Sequence, residues 1–150
     1  MKKLSLGIIL ALFGITVACA QQKVPAEVQK SFNEKFPKAK SVKWEMENAS
    51  EWEAEFKMNG KEKSAGFDLQ GNWQQTETEI KVAELPDAIT NAIKTQFSGY
   101  KVEEPEMLEM ANGEVAYEVE LEKGKEEWEV VFATDGSLKS KKQLQDDNED

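Results

Sequence analysis

In this chain of 150 residues, two stretches of 22 residues share the same pattern of apolar, charged and glycine positions. The first copy runs from Trp52 to Trp73 and reads WEAEFKMNGKEKSAGFDLQGNW, and the second runs from Tyr117 to Leu138 and reads YEVELEKGKEEWEVVFATDGSL. A shift of 65 positions pairs apolar residues with apolar residues: Trp52 with Tyr117, Ala54 with Val119, Phe56 with Leu121, Phe67 with Phe132 and Trp73 with Leu138. The same shift pairs Gly71 with Gly136. We therefore predict a duplicated structural unit.

Apolar and charged residues alternate within each copy, which is typical of β-strands with one buried face. Asn59-Gly60 is a two-residue sequence favoured in tight hairpins, and Gly124 marks the corresponding turn of the second copy. The first unit is predicted to contain strands at 41–47 and 52–58, a return strand that carries Ala65, Phe67 and Leu69, and a polar strand from Trp73 to about Ile80. Four antiparallel strands are therefore expected in each unit.

A helical pattern precedes the strands of each unit. Val28, Phe32 and Phe36 lie four residues apart within the segment 24–36, and they predict one apolar stripe on a helix. The second unit repeats this stripe at an offset of 61, with Leu85, Ile89, Ala92, Ile93 and Phe97. Because the strands are offset by 65 and the helices by 61, the second unit has four additional residues between them. We expect these residues around Glu103-Glu104-Pro105.

The sequence predicts an α+β fold built of two tandem repeats, 24–80 and 85–144, each with one helix packed on a four-stranded antiparallel sheet. A sheet with one apolar face needs a cover, and the apolar stripe of the helix supplies it. Trp44, Trp52 and Trp128 fall on the predicted buried faces. Burial of each large apolar side chain contributes about 1.5–3 kcal/mol, so we expect a marginally stable domain without a disulfide.

The first twenty residues have the pattern of a secretory signal peptide. Two lysines precede an apolar run at residues 4–17, which is too short for a transmembrane helix, and small residues follow. We therefore predict export, with residues 1–20 removed and a mature domain at 21–150. Cys19 has two interpretations: it is lost within an Ala-x-Ala cleavage site, or it ends a lipobox and carries a lipid anchor. No membrane-spanning segment is expected.

The composition excludes several kinds of chemistry. The chain has no histidine and one cysteine, which excludes histidine-dependent hydrolase mechanisms and histidine-ligated zinc. The formal net charge is −10 and all 19 basic residues are lysine, so nucleic acid is an unfavourable partner, because phosphate contact requires basic patches. We predict no catalytic residue, no cofactor and no metal site. A cationic patch on another protein is the better electrostatic match.

Outward-facing glutamates form the candidate partner-binding surface: Glu45, Glu47, Glu53 and Glu55 in the first unit, and Glu118, Glu120, Glu122 and Glu129 in the second. A solvated sheet face is the simpler interpretation of these side chains. The functional interpretation is a docking surface for a basic partner. Acid–base catalysis by a carboxylate pair would need a pocket that raises one pKa, and the regular alternation gives no sign of such a pocket.

The combined pattern resembles the PepSY-like family, also described as β-lactamase-inhibitor-like. The resemblance is carried by Val24-Pro25 with Phe32 and Phe36, the Trp44 strand, Trp52-x-Ala54-x-Phe56, Phe67-Asp68 and Gly71-x-Trp73, together with the second copy. It spans about residues 24–142. The resemblance implies two tandem helix-plus-sheet repeats and a sheet face that binds another protein. It assigns no inhibitory residue.

We expect a non-enzymatic binding module that acts in the periplasm or after secretion and engages another extracytoplasmic protein. One specific hypothesis is that the bound protein is an extracytoplasmic enzyme and that binding inhibits it. A carrier or sensor for a small cationic or apolar ligand, held between helix and sheet, is the alternative. A hydrolase that uses only carboxylates, with Glu53 and Glu118 as its candidates, ranks third.

Overall fold

A computed structural model describes residues 23–144 of the protein. The helices are α1 (Ala26–Lys35) and α2 (Asp87–Gln96), and a 3₁₀ turn spans Val82–Glu84. The strands are β1 (Lys40–Asn48), β2 (Glu51–Met58), β3 (Lys61–Asp68), β4 (Trp73–Glu79), β5 (Lys101–Met110), β6 (Val115–Lys123), β7 (Glu126–Ala133) and β8 (Leu138–Leu144). The predicted signal peptide, with Cys19, lies outside the described residues.

Both helices begin directly after a proline. Pro25 precedes α1 and Pro86 precedes α2, where the missing N–H is not needed for the first helical turn. The helices end before Phe36 and Phe97, whose backbone angles are no longer helical and lead the chain toward the next strand. The segment predicted as the first helix, 24–36, is therefore slightly longer than α1.

The eight strands form one continuous antiparallel sheet in sequence order, β1 to β8. The two repeats join where β4 pairs with β5, with Gln75 opposite Met110 and Thr78 opposite Met107. Two helices on an eight-stranded antiparallel sheet confirm the predicted α+β fold of two repeats. The sequence did not show that the two four-stranded sheets share hydrogen bonds along a common edge.

Each repeat has its own apolar core on the helix face of the sheet. The first core contains Val28, Phe32, Phe36, Trp52, Ala54, Phe56, Ala65 and Phe67, with Trp44 and Trp73 packed against it. The second contains Leu85, Ile89, Ile93, Phe97, Val119, Leu121, Val130 and Phe132, with Trp128 packed against it. These members come from the predicted helical and strand stripes, but Leu69, predicted on the return strand, lies beyond the end of β3 and is 39% exposed. Because alternate strand residues point to opposite sides, the intervening glutamates face away from the helices.

The four additional residues of the second repeat lie in the β5–β6 hairpin, which corrects their expected position at 103–105. The helix offset of 61 still holds at the first strand of each repeat, where Met46 lies opposite Trp52 and Met107 lies opposite Tyr117. Since Trp52 and Tyr117 are offset by 65, the extra residues must follow Met107. Residues 103–105 instead form an irregular step in the pairing of β5 with β6.

The glycine turn between the last two strands of each repeat, β3–β4 and β7–β8, packs against the first turn of the helix in the same repeat. Gly71 and Gly136 both have a φ of 84°. A β-carbon added at Gly71 would lie 2.8 Å from the carbonyl oxygen of Glu27, and one added at Gly136 would lie 2.6 Å from that of Ala88. The glycine match found in the sequence therefore reflects the same close approach of turn and helix in both repeats.

Candidate functional site

The sheet face opposite the helices encloses a trough of about 350 Å³. We call this cavity the acidic trough, and it is lined by Glu47, Asn48, Glu51, Glu53, Glu55, Ser64, Gly66, Gln75, Glu77, Glu104, Glu106, Glu118, Glu120, Glu129 and Lys142. Its lining draws on every strand from β1 to β8, so the continuous sheet is what assembles it. Carboxylates dominate this lining, and among residues 23–144 Lys142 is its one basic side chain.

Most of the glutamates predicted as the partner-binding surface meet in this trough. Glu47, Glu53, Glu55, Glu118, Glu120 and Glu129 line it, whereas Glu45 and Glu122 lie on the same sheet face outside it. Sequence reasoning missed Glu51, Glu77, Glu104 and Glu106. Glu77 lies on β4, where polar residues occupy both faces because Thr76 and Thr78 are buried, so alternation gave no signal there.

Several carboxylates lie directly opposite one another on neighbouring strands. Glu106 of β5 is opposite Glu118 of β6, and Glu120 of β6 is opposite Glu129 of β7. Side chains that face each other across an antiparallel pair are about 4.5–5.5 Å apart at their β-carbons, and like charges at that spacing destabilise the sheet. The centre of the trough therefore concentrates negative charge on neighbouring strands.

Apolar side chains on the same face reduce the solvation of these carboxylates. Leu108 lies opposite both Glu77 and Ala116, which places all three on the trough side of the sheet. Leu108 is 4% exposed and Ala116 is 0% exposed, although neither belongs to the two cores under the helices. The glutamates beside them therefore lie in a less polar environment than an open sheet face provides.

Burial raises the pKa of the central glutamates. It raises the pKa of Glu106 to about 8, with the charges of Glu77 and Glu118 adding to the effect. Burial likewise raises the pKa of Glu118 to about 8, with Glu129 and Glu77 as the next contributors. The face is therefore half-buried and proton-binding, which corrects the expectation of a solvated acidic surface with no pocket to raise a pKa.

The flanking positions show the same direction of change. Burial raises the pKa of Glu53 to about 7, and the charges of Glu77 and Glu47 add to the rise. Burial also raises the pKa of Glu120 to about 7, and Glu104 adds to this through its charge. Because these residues come from both repeats, the raised pKa values extend along the trough and are not confined to one pair.

Hydrogen bonds and two lysines offset part of the repulsion. Ser64 donates to one carboxylate oxygen of Glu77 at 3.0 Å, and Gln75 donates to the other at 2.9 Å. Burial nevertheless raises the pKa of Glu77. Lys142 is paired with Glu129 across β7 and β8, and Lys43 lies 3.9 Å from Glu55. These contacts leave most of the lining carboxylates without a basic partner of their own.

The raised pKa of Glu106 predicts a pH-dependent stability. A carboxyl whose pKa is higher in the folded protein stabilises most below its unfolded pKa of 4.5, and that contribution is lost as pH rises through about 8. We expect Glu106→Gln to match the wild type at pH 5 and to be more stable by about 2 kcal/mol at pH 8.5, after allowing for partial solvent screening. Urea unfolding at both pH values measures this.

Glu122→Gln is the matched control for that prediction, because Glu122 lies on β6 and on the same face but outside the trough. We expect it to change stability by less than about 0.5 kcal/mol at either pH. Equal stability of Glu106→Gln and the wild type at pH 8.5 would show that Glu106 is an ordinary solvated carboxylate.

Neither a metal-binding cluster nor a membrane-spanning helix is found within residues 23–144. No three or more Asp, Glu, Cys or His side chains in this range come together in a way that could hold a metal ion. The helices of the same range are too short or too polar to cross a membrane.

The model of one protein family matches residues 15–61 and 50–140, which together include most of the chain. That family is described as "Putative beta-lactamase-inhibitor-like, PepSY-like". The chain belongs to this family. The match confirms the resemblance inferred from the repeated strands and glycine turns. A search of curated proteins gives no significant match.

Solved structures from Bacteroides share the fold of this PepSY-like chain. A DUF2874 family protein from Bacteroides uniformis is 25% identical, with a TM-score of 0.74, covering 81% of this chain and 90% of its own. A BLIP-like protein from Bacteroides fragilis is also 25% identical, with a TM-score of 0.72 and coverages of 87% and 94%. A structure described as putative periplasmic proteins from Bacteroides eggerthii, 20% identical with a TM-score of 0.75 and coverages of 83% and 91%, shows the same fold.

Proposed function

We propose that this PepSY-like protein is a non-enzymatic binding module outside the cytoplasm, and that its acidic trough docks a basic segment of another protein. The observation that carries the proposal is the trough itself, a cavity of about 350 Å³ on the sheet face opposite the helices, lined by ten glutamates and one lysine. Complementary charge across an interface speeds association and selects partners. A lysine- or arginine-rich loop is the complementary surface.

An extracytoplasmic location is supported by two independent features. The first twenty residues carry the pattern of a secretory signal peptide. The related structure from Bacteroides eggerthii is described as periplasmic. A partner in the periplasm or outside the cell is therefore the one to seek, and an enzyme inhibited by docking is a specific form of this proposal, consistent with the BLIP-like relative.

The carboxyl groups of the trough favour binding over catalysis. Acid–base pairs in hydrolases work because their environments separate the two pKa values, so that one group is protonated while the other is ionised. In the trough, burial raises the pKa of Glu53, Glu106, Glu118 and Glu120 in the same direction, so these shifts do not single out one carboxyl as the acid and another as the base. A row of similar carboxyls is better suited to contact a cationic surface than to divide the roles of acid and base.

A small ligand between helix and sheet has less support. Val28, Phe67, Ile89 and Phe132 are fully buried at that interface, so the two cores are filled by their own side chains. The trough on the opposite face has free volume, and its lining is mainly charged. The position proposed for a small ligand therefore moves to the trough, where it would compete with a basic protein segment.

The test is a calorimetric titration with hexalysine at pH 8.5 and low salt. We expect saturable binding that weakens as salt is added, because screening reduces attraction between exposed charges. Glu53→Gln combined with Glu118→Gln neutralises equivalent positions of the two repeats inside the trough. We expect this double variant to bind at least tenfold more weakly than the wild type.

The matched control combines Glu34→Gln, at an exposed position of α1, with Glu122→Gln, and it removes the same charge outside the trough. We expect its affinity to stay within twofold of the wild type. If both double variants lose affinity equally, the attraction comes from net charge and the trough is not the docking site. Absence of saturable binding to the wild type would reject the proposal.

A further inference from the structure

The central carboxylates of the acidic trough face one another with little compensating positive charge. Glu106 and Glu118 are directly opposed on β5 and β6. The charged groups that face or act on this pair from the surrounding strands are Glu53 of β2, Glu77 and Glu79 of β4, Glu104 of β5, Glu120 of β6, Glu129 of β7 and Lys142 of β8. Among the described residues, the neighbours of the pair are thus mainly glutamates, with Lys142 as the one cation.

Buried apolar side chains beside the trough also reduce the hydration of Glu106 and Glu118. Leu108 and Ala116 are buried on the trough side of the sheet beside the opposed pair. A carboxylate there cannot be fully hydrated, and its ionised form is disfavoured both by desolvation and by its neighbours. Protonation removes both costs at once, so the pair gains from holding protons while the trough is empty.

We propose that the acidic trough is a proton-regulated docking face, with its central pair mainly neutral under mildly acidic conditions and anionic under mildly alkaline ones. This regulation rests on the function proposed above, since it acts on the same surface. The central pair therefore presents little charge to a basic partner at pH 6 and becomes increasingly anionic as the pH rises through 8.

Linkage fixes the direction of the effect on binding. A cation in the trough favours the ionised carboxylates, so docking near neutral pH expels protons, and affinity rises with pH. Each proton released contributes up to tenfold in affinity per pH unit. The pKa values near 8 for Glu106 and Glu118 place the steepest part of this rise between about pH 6 and pH 8.

The experiment is a ¹³C NMR titration of the glutamate side-chain carboxyls between pH 4 and pH 9.5, in the predicted mature domain, residues 21–150. Resonances are assigned with Glu106→Gln and Glu118→Gln. We expect the two central carboxyls to titrate with midpoints above pH 6.5 in the free protein. Because the charge of Glu118 adds to the raised pKa of Glu106, Glu118→Gln should lower the midpoint of Glu106 by at least half a pH unit, and Glu122→Gln should leave it unchanged.

Repeating the titration with saturating hexalysine separates this inference from the proposed function. We expect the midpoints of Glu106 and Glu118 to fall by at least one pH unit with the peptide. Midpoints below pH 5.5 in the free protein would overturn the inference, while peptide binding would still stand. Raised midpoints with no response to the peptide at any pH would reject the basic partner and this regulation of its docking.

Discussion

Phe32→Ala is expected to lower the free energy of unfolding by about 4 kcal/mol, because it removes a large side chain from the centre of the first core. Phe32 is 2% exposed, and its ring lies within 5.1–6.2 Å of those of Trp44, Phe56 and Phe67 and 5.4 Å from that of Phe36. The cavity left by alanine cannot be filled without shifting helix α1 relative to the sheet. Urea unfolding followed by tryptophan fluorescence measures the loss.

The control for this substitution is Asn33→Ala, at the next position of α1, where the side chain is exposed. Alanine has the higher helix propensity, so this change should be neutral or slightly stabilising. Ile93→Ala, at the equivalent position of the second repeat, should cost about 3 kcal/mol. A loss below about 1.5 kcal/mol for Phe32→Ala would contradict the position of the helix on the sheet.

The second large effect is expected for Gly136→Ala, at about 3 kcal/mol of lost stability. The substitution combines a positive φ, which disfavours any side chain, with a β-carbon 2.6 Å from the carbonyl oxygen of Ala88. Gly71→Ala should behave in the same way, because its β-carbon would lie 2.8 Å from the carbonyl oxygen of Glu27. Thermal and urea unfolding report the change.

Gly113→Ala isolates the contribution of backbone conformation. Gly113 has the same φ of 84°, and no atom lies within 4 Å of a β-carbon added there. We expect a cost of about 1 kcal/mol for this variant, and the excess at Gly136 measures the contact between turn and helix. Equal costs at Gly113 and Gly136 would show that the turns do not pack on the helices as described.

The sequence predicted the elements and the cores because these follow from local periodicity. The stripe of Val28, Phe32 and Phe36 fixed the buried side of the first helix, and the alternation around Trp52 fixed the buried side of the strands. The repeat itself was visible because equivalent positions need similar side-chain volumes. The family resemblance based on these residues is confirmed by the match to residues 15–61 and 50–140.

The pairing of β4 with β5 was not predictable from the same signals. A strand edge is a row of backbone N–H and C=O groups, and side-chain patterns do not say what pairs with it. Thr76 and Thr78 are buried at this junction, yet threonine is as common on exposed faces. Without that pairing, the glutamates of the two repeats have no reason to meet in one cavity.

The sequence predicted which side of the sheet the candidate glutamates occupy, but it did not predict how deeply they are buried there. Alternation correctly placed Glu53 and Glu118 on the side opposite the helices. It could not show that Leu108 and Ala116 are buried beside them, because in the first repeat the equivalent positions are Glu47 and Glu51. Raised pKa values depend on this three-dimensional neighbourhood, and docking at these residues stays a prediction.

The most direct test of the docking proposal is a map of backbone amide shifts as hexalysine is added to the ¹⁵N-labelled protein at pH 8.5. We predict saturable shifts concentrated at the trough strands, including Ser64, Gly66 and Gln75, with helices α1 and α2 unaffected. Saturable shifts confined to the helices, or shifts spread evenly over the acidic surface without saturation, would contradict it.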